Sequence, residues 1–191
     1  MAKEKINGHI YGNGPSRILF LNHKVLQSDF VVVCNIPEPG VAKDRIAVID
    51  SQPMAWFLNE NHFPETKFWV STRAGNFIRH KNLLDKIRID VEWPDIHRYN
   101  VGIYCVKELL NQGYENIHLW GFDSTFSECL ESPAMDKIIP RHRRPKHLKE
   151  DWAKHWTKLL NNRTNTLHVH MYKDSEPQDW IKHDRIELHR H

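Results

Sequence analysis

Gly12-Asn13-Gly14-Pro15-Ser16 closes a short apolar run and has the make-up of a backbone that could wrap an anion. Glycines let the main chain approach a ligand closely, and successive N–H groups can form an anion-binding concavity. The segment is not a Walker A loop, because no Gly-Lys-Ser/Thr follows. Nor is it the GxGxxG dinucleotide fingerprint, because Arg17 stands where the third glycine belongs. On local chemistry alone it reads equally as a turn. Other small or polar residues also close apolar runs: Asn35, Asp50-Ser51, Ser71-Thr72-Arg73 and Gly121-Phe122-Asp123. Asn100, Val101 and Gly102 open an amphipathic stretch, and the unpaired amides of such a helix start favour an anion. Asparagine at a strand end also satisfies turn backbone, and Asp123 also fits as a helix cap.

The elements that would position these residues are short. Strands are expected at 6–11, 29–35, 45–50, 67–72, 116–123 and 166–172, each bounded by Gly, Pro, Asn or Asp. The run at 29–35 is continuously β-branched, as in a strand buried on both faces. Helices are expected at 53–61, 100–113 and 147–162. The second is the clearest. Val101, Tyr104, Cys105, Glu108 and Leu109 recur at helical spacing, with Asn100 suited to the N-cap and Gly113 to the residue beyond the C-cap. Trp152 and Trp156, one helical turn apart, read as core, as does Trp120 on a central strand. Alternating strands and helices imply an α/β fold: one Rossmann-like domain over 1–173, a mostly parallel sheet, and helices on both faces. The polar stretch 174–191 is expected to be a tail or a small extra element. In such sheets ligands bind beyond the carboxyl ends of the strands, where the residues above fall.

Composition narrows the partners. The 191 residues carry a net charge of +3 with histidine neutral, too little to point to nucleic acid. Positive charge gathers at 137–149, KIIPRHRRPKHLK, which also reads as solvated surface. No apolar run reaches the roughly 20 residues of a membrane span, and the N-terminal segment lacks a signal-peptide pattern, so a cytoplasmic protein is expected. Cys34, Cys105 and Cys129 lack metal-type spacing and read as reduced thiols. There are 14 histidines. His168 and His170 alternate on a strand and His189 and His191 lie in the tail, but HExxH and CxxC patterns are absent, and no metal site is expected.

Three blocks taken together carry more than any one of them. GNGPS after a first strand, CN ending a second, and GIYCVKELLNQGYENIHLWGFD near the middle resemble the bacterial sialyltransferases that use CMP-sialic acid. The resemblance spans roughly residues 5 to 172. It implies a nucleotide-sugar donor and a glycan acceptor, with no metal or other cofactor required. It makes Asn13 and Asn35 donor contacts, has Gly12, Gly14 and Ser16 shape the loop, and brings Asn100, Gly102 and Asp123 near the nucleotide. It also implies a histidine general base, for which His147 stands in the matching place and His142 competes. Histidine suits the task because its pKa lies near neutrality. Arg141, Arg143, Arg144 and Lys146 would hold phosphate or an anionic acceptor. Two positions depart from the pattern: Val101 replaces a serine, and Ser124-Thr125 replaces a segment ending in the tyrosine that contacts the leaving phosphate.

The first and third blocks, with DRIAVIDSQP at 44–53, also resemble the archaeal-type 6-hydroxymethylpterin diphosphokinases. That resemblance implies Mg²⁺ and ATP, with Asp50 and Asp123 on the metal side. A third expectation is a non-catalytic binding or assembly protein that keeps the fold.

Overall fold

Runs such as Phe30–Cys34, apolar at every position, can be buried on both sides, and the chain uses them as strands of one parallel sheet. The computed structural model describes residues 6–127, 129, 131–136, 138–139, 148–162 and 165–191. The elements in order are β1 Asn7–Tyr11, a 3-10 helix Pro15–Asn22, β2 Phe30–Cys34, β3 Arg45–Val48, α1 Ser51–Asn59, β4 Lys67–Ser71, α2 Thr72–His80, β5 Ile89–Trp93 and α3 Val101–Asn111. They continue with β6 Asn116–Trp120, α4 Asp123–Phe126, α5 Pro133–Asp136, α6 Leu148–Asn161, β7 Leu167–Met171, a 3-10 turn Asp179–Ile181 and β8 Ile186–Arg190. All eight strands run parallel, in the order β5-β4-β3-β2-β1-β6-β7-β8. The α/β, Rossmann-like architecture is as the sequence implies.

The chain steps outward from β1 to β5, then returns through α3 to pair β6 on the other side of β1. β1 and β6 therefore flank the switch point, where open parallel sheets place their ligands. The six expected strands and three expected helices are present with shifted ends. The strand expected over 116–123 stops at Trp120, and α1 starts at Ser51, two residues before Pro53. Other elements lie outside the expectation, among them α2, β5 and β8. Thr72 starts α2, with Ser71 Oγ accepting from the Ala74 amide at 3.3 Å. β5 alternates half-buried and exposed residues at one edge and ends on the buried Trp93. The 174–191 stretch supplies β8, in register from Leu167–Ile186 to Met171–Arg190 at the other edge.

One face of the sheet carries Ile10, Val32, Ala47, Trp69, Leu119 and Val169 into a core closed by α3 and α6. Asn100 caps α3, accepting from the Ile103 amide at 3.0 Å. Gly113 (φ +88) ends it. Trp156 is fully buried in this layer, and Trp152 packs at its edge. Gly102 lets α3 approach the loop after β6, because a Cβ there would lie 2.2 Å from the Phe122 ring. The opposite face is divided. Over β3 and β4, α1 and α2 bury Ile46, Val48, Phe68 and Val70. Over β1 and β2 the Pro15–Asn22 helix brings Phe20 onto Tyr11, Val31 and Val33. Both edge strands are charged. Asp90 of β5 pairs with Arg45 at 2.6 Å and Lys67 at 3.3 Å, and Glu92 pairs with Arg79.

From β1 to β8 this second face is built of rings. The parallel register lines up His9, His118, His168 and Glu187 in one row, and Tyr11, Trp120, His170 and His189 in the next. Rings in a row stack: His9 on His118 at 4.9 Å, His118 on His168 at 4.6 Å, Trp120 on His170 at 3.5 Å, and His170 on His189 at 4.6 Å. Trp120 Nε1 donates to His9 Nδ1 at 3.2 Å, and the other ring nitrogen of His9 faces Asp29 at 3.5 Å. Toward β8 the face opens to solvent, where the Glu187 and His189 side chains are 57% and 31% exposed.

Burial lowers the pKa of His9 to about 4, with His23 acting in the same direction and the Asp29 carboxylate opposing. His9 is therefore neutral when folded and takes a proton below about pH 6.5 when unfolded, so stability is full above that pH and falls toward pH 4. The linkage amounts to about 3 kcal/mol, read from urea melts across this range. Burial lowers His118 and His170 in the same way, so they add to this slope. His9→Gln, which keeps an acceptor for Trp120, should reduce it by the His9 share, and an unchanged slope would remove His9 as one of its sources. Gly102→Ala should cost about 1–3 kcal/mol by overpacking Phe122. A loss under about 0.5 kcal/mol would mean the ring simply swings aside.

Candidate functional site

The loop after β1 is fastened to the loop after β6. Gly12 N–H donates to the Trp120 carbonyl at 2.6 Å, and Gly14 N–H to the Gly121 carbonyl at 2.7 Å. Ser16, opening the 3-10 helix, then donates to Asp123 Oδ2 twice, from its amide at 3.1 Å and its hydroxyl at 2.8 Å. The hydroxyl also lies 3.3 Å from the His170 carbonyl, a poorer acceptor position for its single proton. A Cβ at Gly14 would sit 2.2 Å from Asp123 Oδ2, so only glycine admits the carboxylate here.

This arrangement revises what the loop can hold. Its free amide at Ser16 already meets an internal anion, Asp123. Burial raises the Asp123 pKa, and the two hydrogen bonds from Ser16 oppose the shift. The second carboxylate oxygen, Oδ1, is buried and has no partner among the described residues, as is also true of Asn13 Oδ1. These two atoms can accept hydrogen bonds from a ligand's hydroxyl or amino groups. They would repel a phosphate.

Asn35 ends β2, next to β1, with a left-handed backbone (φ +60), which asparagine tolerates better than most residues. Its amide donates to the Ala47 carbonyl at 2.8 Å. This geometry accounts for asparagine at the strand end, and it leaves the buried side chain at the carboxyl edge. Asn100 is spent internally: Oδ1 caps α3, and Nδ2 donates to Thr125 Oγ1 at 3.3 Å. Gly102 meets Phe122, so its role here is packing. Of the expected residues, the structure thus brings Gly14 and Ser16 into direct contact with Asp123, with Gly12 and Asn13 in the same loop. Asn100 and Gly102 border the same turn through Thr125 and Phe122. His147 lies outside the described residues, as do Arg141, His142, Arg143, Arg144 and Lys146.

One residue of the site was visible in the sequence only as a departure from a motif. Arg17, in place of the third glycine, packs against Gly121, pairs with Glu38 from the loop after β2, and lies 5.7 Å over the Tyr11 ring. Its side chain is 12% exposed, and Nη1 is buried with no partner among the described residues. A buried guanidinium N–H without an acceptor is costly, and a ligand oxygen is one group that could satisfy it. Tyr11 Oη is likewise buried with no partner among the described residues. The switch point therefore has a cationic donor on one loop and neutral and acidic acceptors on the same loop and its neighbour.

Asp50 stands apart. It ends β3 and pairs with Arg73 at 2.8 Å. Three strand spacings, about 14 Å of sheet, separate β3 from β6. Asp50 and Asp123 are thus not placed to share one ion, nor a metal pair about 4 Å apart.

The donor and acceptors at the β1–β6 edge can together take a ligand that combines an anionic group with hydroxyl or amino groups. Compared with protein-family models, with curated proteins and with solved structures, the chain matches none.

Proposed function

We propose that the chain binds a nucleotide at the β1–β6 edge and acts as a nucleotide-sugar-dependent glycosyltransferase, moving a sugar from a CMP-type donor to a glycan hydroxyl. The observation that carries this reading is the set of buried, unpartnered atoms on the two fastened loops: Arg17 Nη1 as donor, Asn13 Oδ1 and Asp123 Oδ1 as acceptors. A nucleotide offers the matching set, phosphate oxygens for the guanidinium and ribose or base N–H and O–H groups for the acceptors. Arg17 is fixed by Glu38 and Tyr11 before any ligand arrives, so little ordering is needed on binding.

In this reading a base takes the proton of the acceptor hydroxyl as its oxygen attacks the anomeric carbon, and the bond to the nucleotide phosphate breaks. His147 is the base that the sialyltransferase resemblance implies. Arg17 stabilises the charge that develops on the leaving phosphate, which needs no metal or other cofactor. The separation of Asp50 from Asp123 weighs against the alternative, a pyrophosphokinase using Mg²⁺ and ATP. The non-catalytic alternative has one observation in its favour: Thr125, standing where the resemblance expects the tyrosine, is buried and bonded to Asn100.

Thermal shift with CMP, CDP, UDP, GDP and ATP, with and without magnesium, tests the reading. CMP or CDP should stabilise the chain, by about 2.7 kcal/mol at a hundredfold excess over Kd. Arg17→Gln should weaken that binding roughly tenfold to a hundredfold, the worth of a charged hydrogen bond, beyond the cost of losing the Glu38 pair, which a melt without nucleotide reads separately. No shift with any nucleotide would defeat the proposal. Binding without hydrolysis or transfer from CMP-sialic acid would favour the non-catalytic alternative, and AMP release from ATP with a pterin alcohol the pyrophosphokinase.

A further inference from the structure

We propose that His168, Glu187 and His189 form a site for a divalent transition-metal ion of the zinc class, on the open side of the sheet and separate from the nucleotide edge. The parallel register of β7 and β8 sets His168 directly opposite Glu187, and His189 follows two residues on along the same face. His168 Nδ1 lies 3.0 Å from His189 Nε2. The Glu187 carboxylate straddles the pair, with Oε2 3.4 Å from His168 Nδ1 and Oε1 3.5 Å from His189 Nε2. An ion about 2.0–2.1 Å from each of four tetrahedral ligands has ligand–ligand edges of about 3.3 Å. The two ring nitrogens lie close to one such edge apart, and each has a different Glu187 oxygen at about that separation, so a small turn of the carboxylate brings one oxygen into the third ligand position.

Convergence separates this trio from the other histidines of the face. His170 uses Nε2 toward His118 at 3.0 Å and Nδ1 toward His191 at 2.9 Å, so those rings form a string with no shared focus. Among the described residues, His168, Glu187 and His189 are the group whose donor atoms all lie within 4.8 Å of one another. The neighbouring rings also orient the ligands. His168 stacks on His118 at 4.6 Å and 16°, and His189 on His170 at 4.6 Å and 14°. Such support lets a site bind without first ordering its side chains.

The donor set selects the ion. Two imidazoles and one carboxylate favour Zn²⁺, Co²⁺ or Ni²⁺ over Mg²⁺ and Ca²⁺, which prefer all-oxygen shells. In the hydrogen bond between the two rings, one ring nitrogen donates its proton to the other. Binding needs that proton to shift to the far nitrogen of the same ring, after which both facing nitrogens present lone pairs. Exposure of 17% at His168, 31% at His189 and 57% at Glu187 leaves a path for the ion and a fourth position for water.

Co²⁺ titration of the chelator-stripped full chain at neutral pH, followed by visible absorption and by equilibrium dialysis, tests this assignment. One bound equivalent should appear with the intense d–d bands of a four-coordinate ion. Zn²⁺ should displace it and Mg²⁺ should not. Glu187→Gln, at the most exposed ligand, should weaken binding by about tenfold or more, and His189→Gln should remove the stoichiometric site. Both variants should keep the metal-free melting temperature, and His191→Gln should bind as the unaltered chain does. Absence of a bound equivalent, or binding that neither ligand substitution weakens, would overturn the assignment.

Discussion

The seam between β1 and β6 depends on a carboxylate that must lose most of its water. Asp123 is buried beside Gly14, accepts twice from Ser16, and so holds the first turn of the 3-10 helix against the loop after β6. An isolated carboxylate in such a place is costly, and two hydrogen bonds from one residue offset part of that cost. The seam's other members follow from it. Gly14 must lack a side chain to admit the carboxylate, and Arg17 then lies against Gly121. The edge is thus prearranged by contacts within the chain.

An internal acid at this position also sets the polarity of whatever binds. Glycine-rich loops usually offer their amides to an anion, but here those of Gly12, Gly14 and Ser16 all donate within the chain, and Pro15 has none. Negative charge on a ligand is directed toward Arg17, and its hydrogen-bond donors toward Asn13 and Asp123. The two sides of the sheet divide labour in a comparable way. The α3–α6 face gathers the largest apolar cluster of the core. On the other face, apolar layers give way to ordered imidazoles between β1 and β8, where stacked rings take the place of aliphatic packing.

Much of the fold was legible in the sequence because its signals are local. The buried run at 30–34 and the apolar face of α3, with Asn100 and Gly113 at its ends, are matters of spacing and capping. β5 and β8 were harder because an edge strand needs only one buried face. Ile186 and Leu188 alternate with Glu187 and His189, which in a short polar stretch resembles a loop. α2 was hidden by Gly75 and by Arg and Asn on its outer face. In the site, the loop glycines, Ser16 and Asp123 could be singled out by type, but their partners could not. That Gly14 serves Asp123, and Gly102 serves Phe122, depends on contacts between distant segments. Arg17 registered as a broken motif and not as a buried cation. The histidines of β7 and β8 show no metal-type spacing because their proximity arises from parallel register, which short-range sequence patterns do not encode.

The charged margins of the sheet bear on its growth. β5 ends the sheet with Asp90 and Glu92 held by Arg45, Lys67 and Arg79, and β8 ends it with Glu187 and Arg190. An incoming strand from another copy would have to strip water from these groups as it paired, at either margin. Backbone left unpaired at an open parallel sheet is a template for fibrils, and here the template is guarded by charge at both ends. The ion pairs of β5 thus sit where they both tie the edge strand to its neighbours and put charge in the way of a ninth strand.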